Sequence, residues 1–116
     1  MELYRVRCCS RATHLGARQP LPASPFDQPG GRVRAACFHL PPGGVIGRHE
    51  AATHQLLCVV TGEGWVSGPD GSRIPIAVGR AAFWGRGEEH ETGTDTGLTA
   101  IVLEGQDLSV WAAPDT

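Results

Sequence analysis

Sixteen glycines and nine prolines in 116 residues decide what this chain can fold into. Glycine alone stands at roughly twice its average share of about 7%. The two residue types recur between short runs rich in β-branched and aromatic side chains. No long segment carries a 3.6-residue apolar period, and helices of useful length would not survive this punctuation. The pattern predicts an all-β chain of about ten short strands, forming a barrel or a two-sheet jelly roll.

The expected strands follow from the breaks between them. Leu3 to Cys8 alternates apolar and charged residues as an edge strand does. Residues 10–31 carry Pro20, Pro22, Pro25 and Pro29 and read as a long irregular loop, with Phe26 as its anchor. Arg32 to Leu40 is a strand stopped by Pro41-Pro42-Gly43-Gly44, and Val45 to Arg48 is a short one. Gln55 to Val60 is strongly apolar, and Thr61-Gly62-Glu63-Gly64 reads as a turn into Trp65 to Ser67. Pro69-Asp70-Gly71 is a hairpin turn, proline presetting its first corner and glycine taking positive φ. Arg73 to Val78, Ala81 to Trp84, His90 to Thr92, Leu98 to Leu103 and Leu108 to Trp111 complete the set. The division is a single domain: residues 1–31 as edge strand and Pro-rich loop, 32–111 as the barrel, and 112–116 as a flexible tail.

Composition narrows the function classes. Apolar residues make up 41% of the chain and charged residues 19%, a globular balance. The net charge is -2, and the arginines are scattered, so neither nucleic acid nor an anionic membrane is an expected partner. No apolar run reaches the ~18 residues of a membrane span. The start Met1-Glu2-Leu3-Tyr4-Arg5 lacks a signal peptide's apolar core, which gives a cytoplasmic expectation with reduced cysteines. Cys8, Cys9, Cys37 and Cys58 contain no C-x-x-C pair and predict no structural zinc site. No Ser/His/Asp or Cys/His frame supports nucleophilic catalysis.

Two glycine-framed histidines carry the chemistry. Gly43 is followed after five residues by His49, and Gln55 after six by Gly62. Later, Gly79 is followed after five residues by Gly85, then Arg86, Gly87, two more residues, His90 and, four on, Thr94. These frames resemble the two motifs of the cupin family over roughly residues 32–104. The resemblance implies a cupin-type jelly-roll β-barrel, a small-molecule ligand and a homodimer, with His49, Gln55 and His90 at metal-ligand positions. It departs from the family in four places. Ala51 stands where a second histidine is expected, and Gln55 where a glutamate is. Gly85 and Thr94 replace the proline and asparagine of the second motif.

The ligand set is therefore reduced. Gln55 offers an amide oxygen without charge, and a neutral site holds a divalent cation less tightly than one with a carboxylate. Glu50 is the nearest carboxylate but should face away from His49. His54 is a replacement ligand only if an irregular Ala51 to Thr53 loop swings it inward, since strand geometry turns it outward. The expected cofactor is one weakly bound divalent transition metal (Zn, Ni, Mn or Fe), and the alternative is a metal-free ligand-binding or dimeric regulatory protein. Catalysis is left open. The alternation Val33, Ala35, Cys37, His39 suggests an inward face, with His39 as a donor behind the ligands or as a plain core or surface residue. Trp65, Phe83 and Trp84 are candidates for an aromatic wall or for ordinary packing. Glu88, Glu89 and Glu91 read as a solvated charge run, with Glu91 able to raise the pKa of His90 if close.

Overall fold

The computed structural model describes residues 1–5 and 32–110. The Pro-rich loop, Phe26, His14, the Cys8-Cys9 pair, Trp111 and the tail lie outside the described residues. All regular structure among the described residues is β. The eight strands are β1 (Glu2–Arg5), β2 (Arg34–Leu40), β3 (Val45–Glu50), β4 (His54–Ser67), β5 (Arg73–Ala77), β6 (Arg80–Trp84), β7 (Glu89–Gly93) and β8 (Leu98–Gly105).

Every pairing is antiparallel, and β4 belongs to two sheets. Its first half lies between β6 and β8, giving the order β1-β6-β4-β8-β2. Its second half lies between β5 and β7, giving β5-β4-β7-β3. The stretch Thr61 to Gly64, expected as a turn, instead carries the strand from one sheet to the other. Gly62 takes φ +80°, and any side chain there would collide with the Gly97 carbonyl. Gly64 is as tightly placed, against the carbonyl of Gly93. Glycine thus serves here as a crossing point inside a strand, which explains why a turn reading was natural and incorrect. Counting β4 once lowers the expected number of strands. Residues Leu108 to Val110, expected to begin a last strand, form none.

The hairpin at Pro69-Asp70-Gly71 has the predicted form. Gly71 N donates to Gly68 O at 3.0 Å, Gly71 has φ +76°, and Ser72 N donates to the Asp70 carboxylate at 2.9 Å.

The core lies between the sheets. Leu57, Val59, Val66, Ile76, Ala82, Trp84, Leu98, Ala100 and Val102 form one buried cluster, with Leu40 packed against it. A second apolar layer of Tyr4, Leu56, Ala81, Leu103 and Leu108 covers the outer face of the larger sheet. Alternation along each strand separates the two layers: Leu57 and Val59 point in, while Leu56 and Cys58 point out.

Candidate functional site

The inward faces of the larger sheet align in rows. Arg34 pairs with Glu104, Glu104 with Gln55, and Gln55 with Trp84. Directly opposed residues of antiparallel strands share a face, and Trp84 belongs to the inner core. One step along lies an apolar row of Ala36, Val102, Leu57 and Ala82. The polar row therefore closes one end of the core. It borders an open groove of about 460 Å³ lined by Arg34, Ala35, Ala36, Phe38, Val102 and Glu104.

The smaller sheet brings the two framed histidines to the same end. His49 on β3 is the register partner of His90 on β7, and their ring centroids are 4.2 Å apart. A β-bulge makes this possible. Ile46 pairs with Thr92, yet the next matched pair is His49 with His90, three residues on in β3 against two in β7. Without the extra residue, strict alternation would turn Arg48 inward. With it, His49 takes the face of His90, where its side chain remains solvent-exposed, and Arg48 turns away. There Arg48 pairs with Glu89 at 3.0 Å and donates to the carbonyls of Gly68 and Pro69.

Both imidazoles are oriented by the same device. His49 Nδ1 lies 2.8 Å from the Gly47 carbonyl, and His90 Nδ1 lies 3.3 Å from the Glu88 carbonyl. A carbonyl only accepts, so each Nδ1 carries the proton and each Nε2 of the neutral ring carries the lone pair. His90 is 2% exposed, and its Nε2 is buried without a hydrogen-bond partner. Trp84 stacks on the His90 ring at 4.5 Å between ring centroids, with its own Nε1 donating to Ser67 O at 3.0 Å. Burial lowers the pKa of His90. Its hydrogen bond to the Glu88 carbonyl and the charges of Glu104 and Glu88 oppose that shift, while His49 adds to it.

The loop that leads into β7 and His90 is anchored from several sides. Ala51 N donates to Glu88 O at 2.9 Å, and Gly87 N donates to Ala51 O at 2.8 Å. The Glu88 carboxylate accepts from Gly85 N at 2.8 Å and pairs with the Met1 amine at 3.0 Å. Glu88 is thus a structural brace and not part of a solvated run. Glu91 is not among the groups that shift His90.

The candidate ligands divide. His49 and His90 stand together, and Gln55 shares the inward row with Trp84, on which His90 stacks. Ala51 is buried with only a methyl group at the position of a family histidine. His54 is not brought in. It lies on the face of Leu56, stacks loosely on Phe83 at 5.7 Å and accepts from Arg86 N at 3.1 Å through its Nδ1. The regular register of β4 fixes that outward direction. Among the described residues, no three His, Cys, Asp or Glu side chains are gathered closely enough to hold a metal ion.

His39 also faces away from the core. Leu40 packs on the inner cluster, so the even-numbered residues of β2 take the inward face, and the alternation beginning at Val33 points outward. His39 Nδ1 lies 2.9 Å from Thr99 Oγ1. Of the three aromatic candidates only Trp84 is inward. Phe83 packs against the outer layer, and Trp65 lies across Gly93 with the Arg73 guanidinium 3.9 Å from its ring centroid.

Glu104 escaped the sequence reading. The available signal was a charge at the end of the alternating inward run Leu98, Ala100, Val102. Arg34 was missed because the face of β2 was assigned one residue out of register.

No family model matches the sequence, and no curated protein matches it. Solved structures do share its architecture. A cupin superfamily protein from Desulfitobacterium hafniense superposes with TM-score 0.61 at 16% identity, over 66% of this chain and 69% of that one. An RmlC-like cupin from Shewanella frigidimarina gives TM-score 0.60 at 22% identity, over 64% and 66%. The DMSP lyase DddQ from Ruegeria pomeroyi gives TM-score 0.60 at 24% identity, with 72% of this chain matched to only 42% of the lyase. The chain therefore has the cupin fold, a small double-stranded β-helix barrel. At these identities the likeness concerns the fold alone.

Proposed function

We propose that this chain is a small-molecule-binding cupin whose barrel mouth holds a divalent transition metal weakly through His49, His90 and Gln55. The observation that carries the reading is the buried, unpartnered Nε2 of His90 beside the imidazole of His49. A buried acceptor left without a partner costs stability unless a ligand completes it. Holding Nδ1–H on a backbone carbonyl is how proteins fix a metal-binding imidazole. Two such lone pairs and one amide oxygen fit a weakly held ion, the rest of its shell being left to water or ligand. When bound, such an ion supplies Lewis-acid polarisation of a carbonyl or carboxylate. The chain's own part is to hold the two imidazoles in one tautomer, with Trp84 packed against His90.

A metal-free reading has its own support in the buried methyl of Ala51 and the absence of a third ionisable ligand among the described residues. In that case the same lone pairs accept hydrogen bonds from an organic ligand. The fold accommodates small-molecule chemistry, since its examples include a DMSP lyase and a predicted oxalate decarboxylase from Thermotoga maritima. A homodimer working in the cytoplasm belongs to the same proposal. The edge strands β1 and β2, each paired on one side among the described residues, offer surfaces for the dimer.

Elemental analysis of untagged protein tests the metal. Stoichiometric transition metal that disappears in His49→Ala and His90→Ala supports the site. No uptake of Zn, Ni, Mn or Fe at millimolar concentration sinks it.

A further inference from the structure

The inner face of β2 and β8 changes character along its length. Arg34 and Glu104 stand opposite one another at one end, followed by Ala36 opposite Val102 and Phe38 opposite Ala100. All of these except Ala100 line the open groove of about 460 Å³, whose described lining comes from β2 and β8 alone. Below the charged pair the groove is apolar. Val102 is 2% exposed at its floor, whereas Phe38 is 39% exposed although it stands on the inward face. The two charges at the groove's end are unused. Arg34 is exposed and Glu104 half-buried, and among the described residues neither makes a side-chain hydrogen bond or ion pair. A partly desolvated carboxylate without a partner is costly to keep.

We propose that this groove binds a free α-amino acid with an apolar side chain. The Arg34 guanidinium presents a planar fork of donors that matches a carboxylate. The Glu104 carboxylate only accepts, and an ammonium group is its charged complement. Directly opposed residues of paired strands have Cβ atoms about 5 Å apart, so one small head group can meet both charges. An α-amino acid carries its ammonium and carboxylate on a single carbon. A peptide holds them at opposite ends, and a simple acid or amine lacks one of them. Two residues along a strand cover about 7 Å, which carries the ligand's side chain from the charged head over Ala36 and Val102 toward Phe38. Burying that apolar surface adds to the binding, and the groove has the volume of a small-molecule site. The inference rests on the small-molecule reading above and is independent of the metal ion.

Isothermal titration of the untagged protein in EDTA, with L-valine, L-leucine and L-phenylalanine, tests this. At least one should bind at millimolar concentration or better. The N-acetyl derivative of that amino acid lacks the ammonium charge, and its amide lacks the carboxylate. Each should bind at least about tenfold more weakly, the usual worth of a hydrogen bond to a charged group. R34Q should weaken the amino acid by about tenfold or more and leave its amide within about twofold, since the amide has no carboxylate to lose. E104Q should weaken the amino acid by about as much and leave the N-acetyl derivative within about twofold, for the matching reason. Thermal melts confirm that both variants are folded. Equal affinity of the amino acid and either derivative for the wild-type protein would overturn the inference, as would unchanged amino-acid binding in either variant. If none of the three amino acids binds at about 10 mM, corresponding to an affinity weaker than this range, the inference fails. Metal uptake without chelator that is lost in His90→Ala would then leave the metal reading standing.

Discussion

His54 and Gln55 are neighbours in the chain with opposite surroundings. Gln55 joins the inward polar row beside Trp84, while His54 lies on the outer layer, its Nδ1 occupied by the Arg86 amide. A histidine on the outer face, however suitable its chemistry, cannot serve a site on the inner one. A neutral amide on the inner face can. Direction along a strand, more than residue type, selects which groups meet.

The contrast is broken most strongly at the aromatic residues flanking the same strand. Trp84→Ala removes a fully buried ring and its hydrogen bond to Ser67, and should cost about 3–5 kcal/mol. Phe83→Ala, on the outer and partly exposed side, should cost clearly less. Urea denaturation of both variants checks the order, and equal losses would contradict the inner and outer assignment.

Metal uptake compares the histidines next. His90→Ala should abolish binding, whereas His54→Ala should leave the affinity within about twofold, since no ligand charge or geometry is altered. Isothermal titration with Zn²⁺ measures both. Loss of binding in His54→Ala would place that ring in the site after all.

A carboxylate at the inward position sharpens the same comparison. Gln55→Glu should tighten metal binding by about tenfold through the added ligand charge. Unchanged affinity in a chelator competition would remove Gln55 from the ligand set.

The smallest effect is pH-dependent. Burial favours the neutral form of His90, so below the ordinary histidine value of about 6.5 the unfolded chain binds more protons than the fold. Metal-free protein should therefore lose stability as pH falls from about 6.5 through the lowered native value, with no contribution from this group above that window. His90→Asn should show a shallower loss than wild type in melts between pH 7 and pH 5, chosen to span about that range. Parallel curves would mean that His90 contributes nothing to the acid sensitivity.

Much of this was legible in the chain. Glycine and proline spacing gave short strands, and Gly71 and the Asp70 side chain formed the hairpin their chemistry demands, because turn conformations are local. The two-residue period placed His54 outward and Gln55 inward, as strand geometry requires. The framed histidines were visible as candidates, since their spacing is a property of the sequence.

Three matters were settled only in three dimensions. Gly62 and Gly64 read locally as a turn, but the close carbonyls of Gly97 and Gly93 make them a crossing inside β4. That His49 shares the face of His90 depends on a bulge, and a bulge is defined by a partner strand that the local sequence does not contain. Glu104 stands nearly fifty residues from Gln55 in sequence, and only the register of β4 with β8 makes them neighbours. Local conformation follows from the side chains of a few adjacent residues. Register is set by packing a whole strand against another, which is why the spacing of the framed histidines could be read from the chain while the carboxylate row beside Gln55 could not.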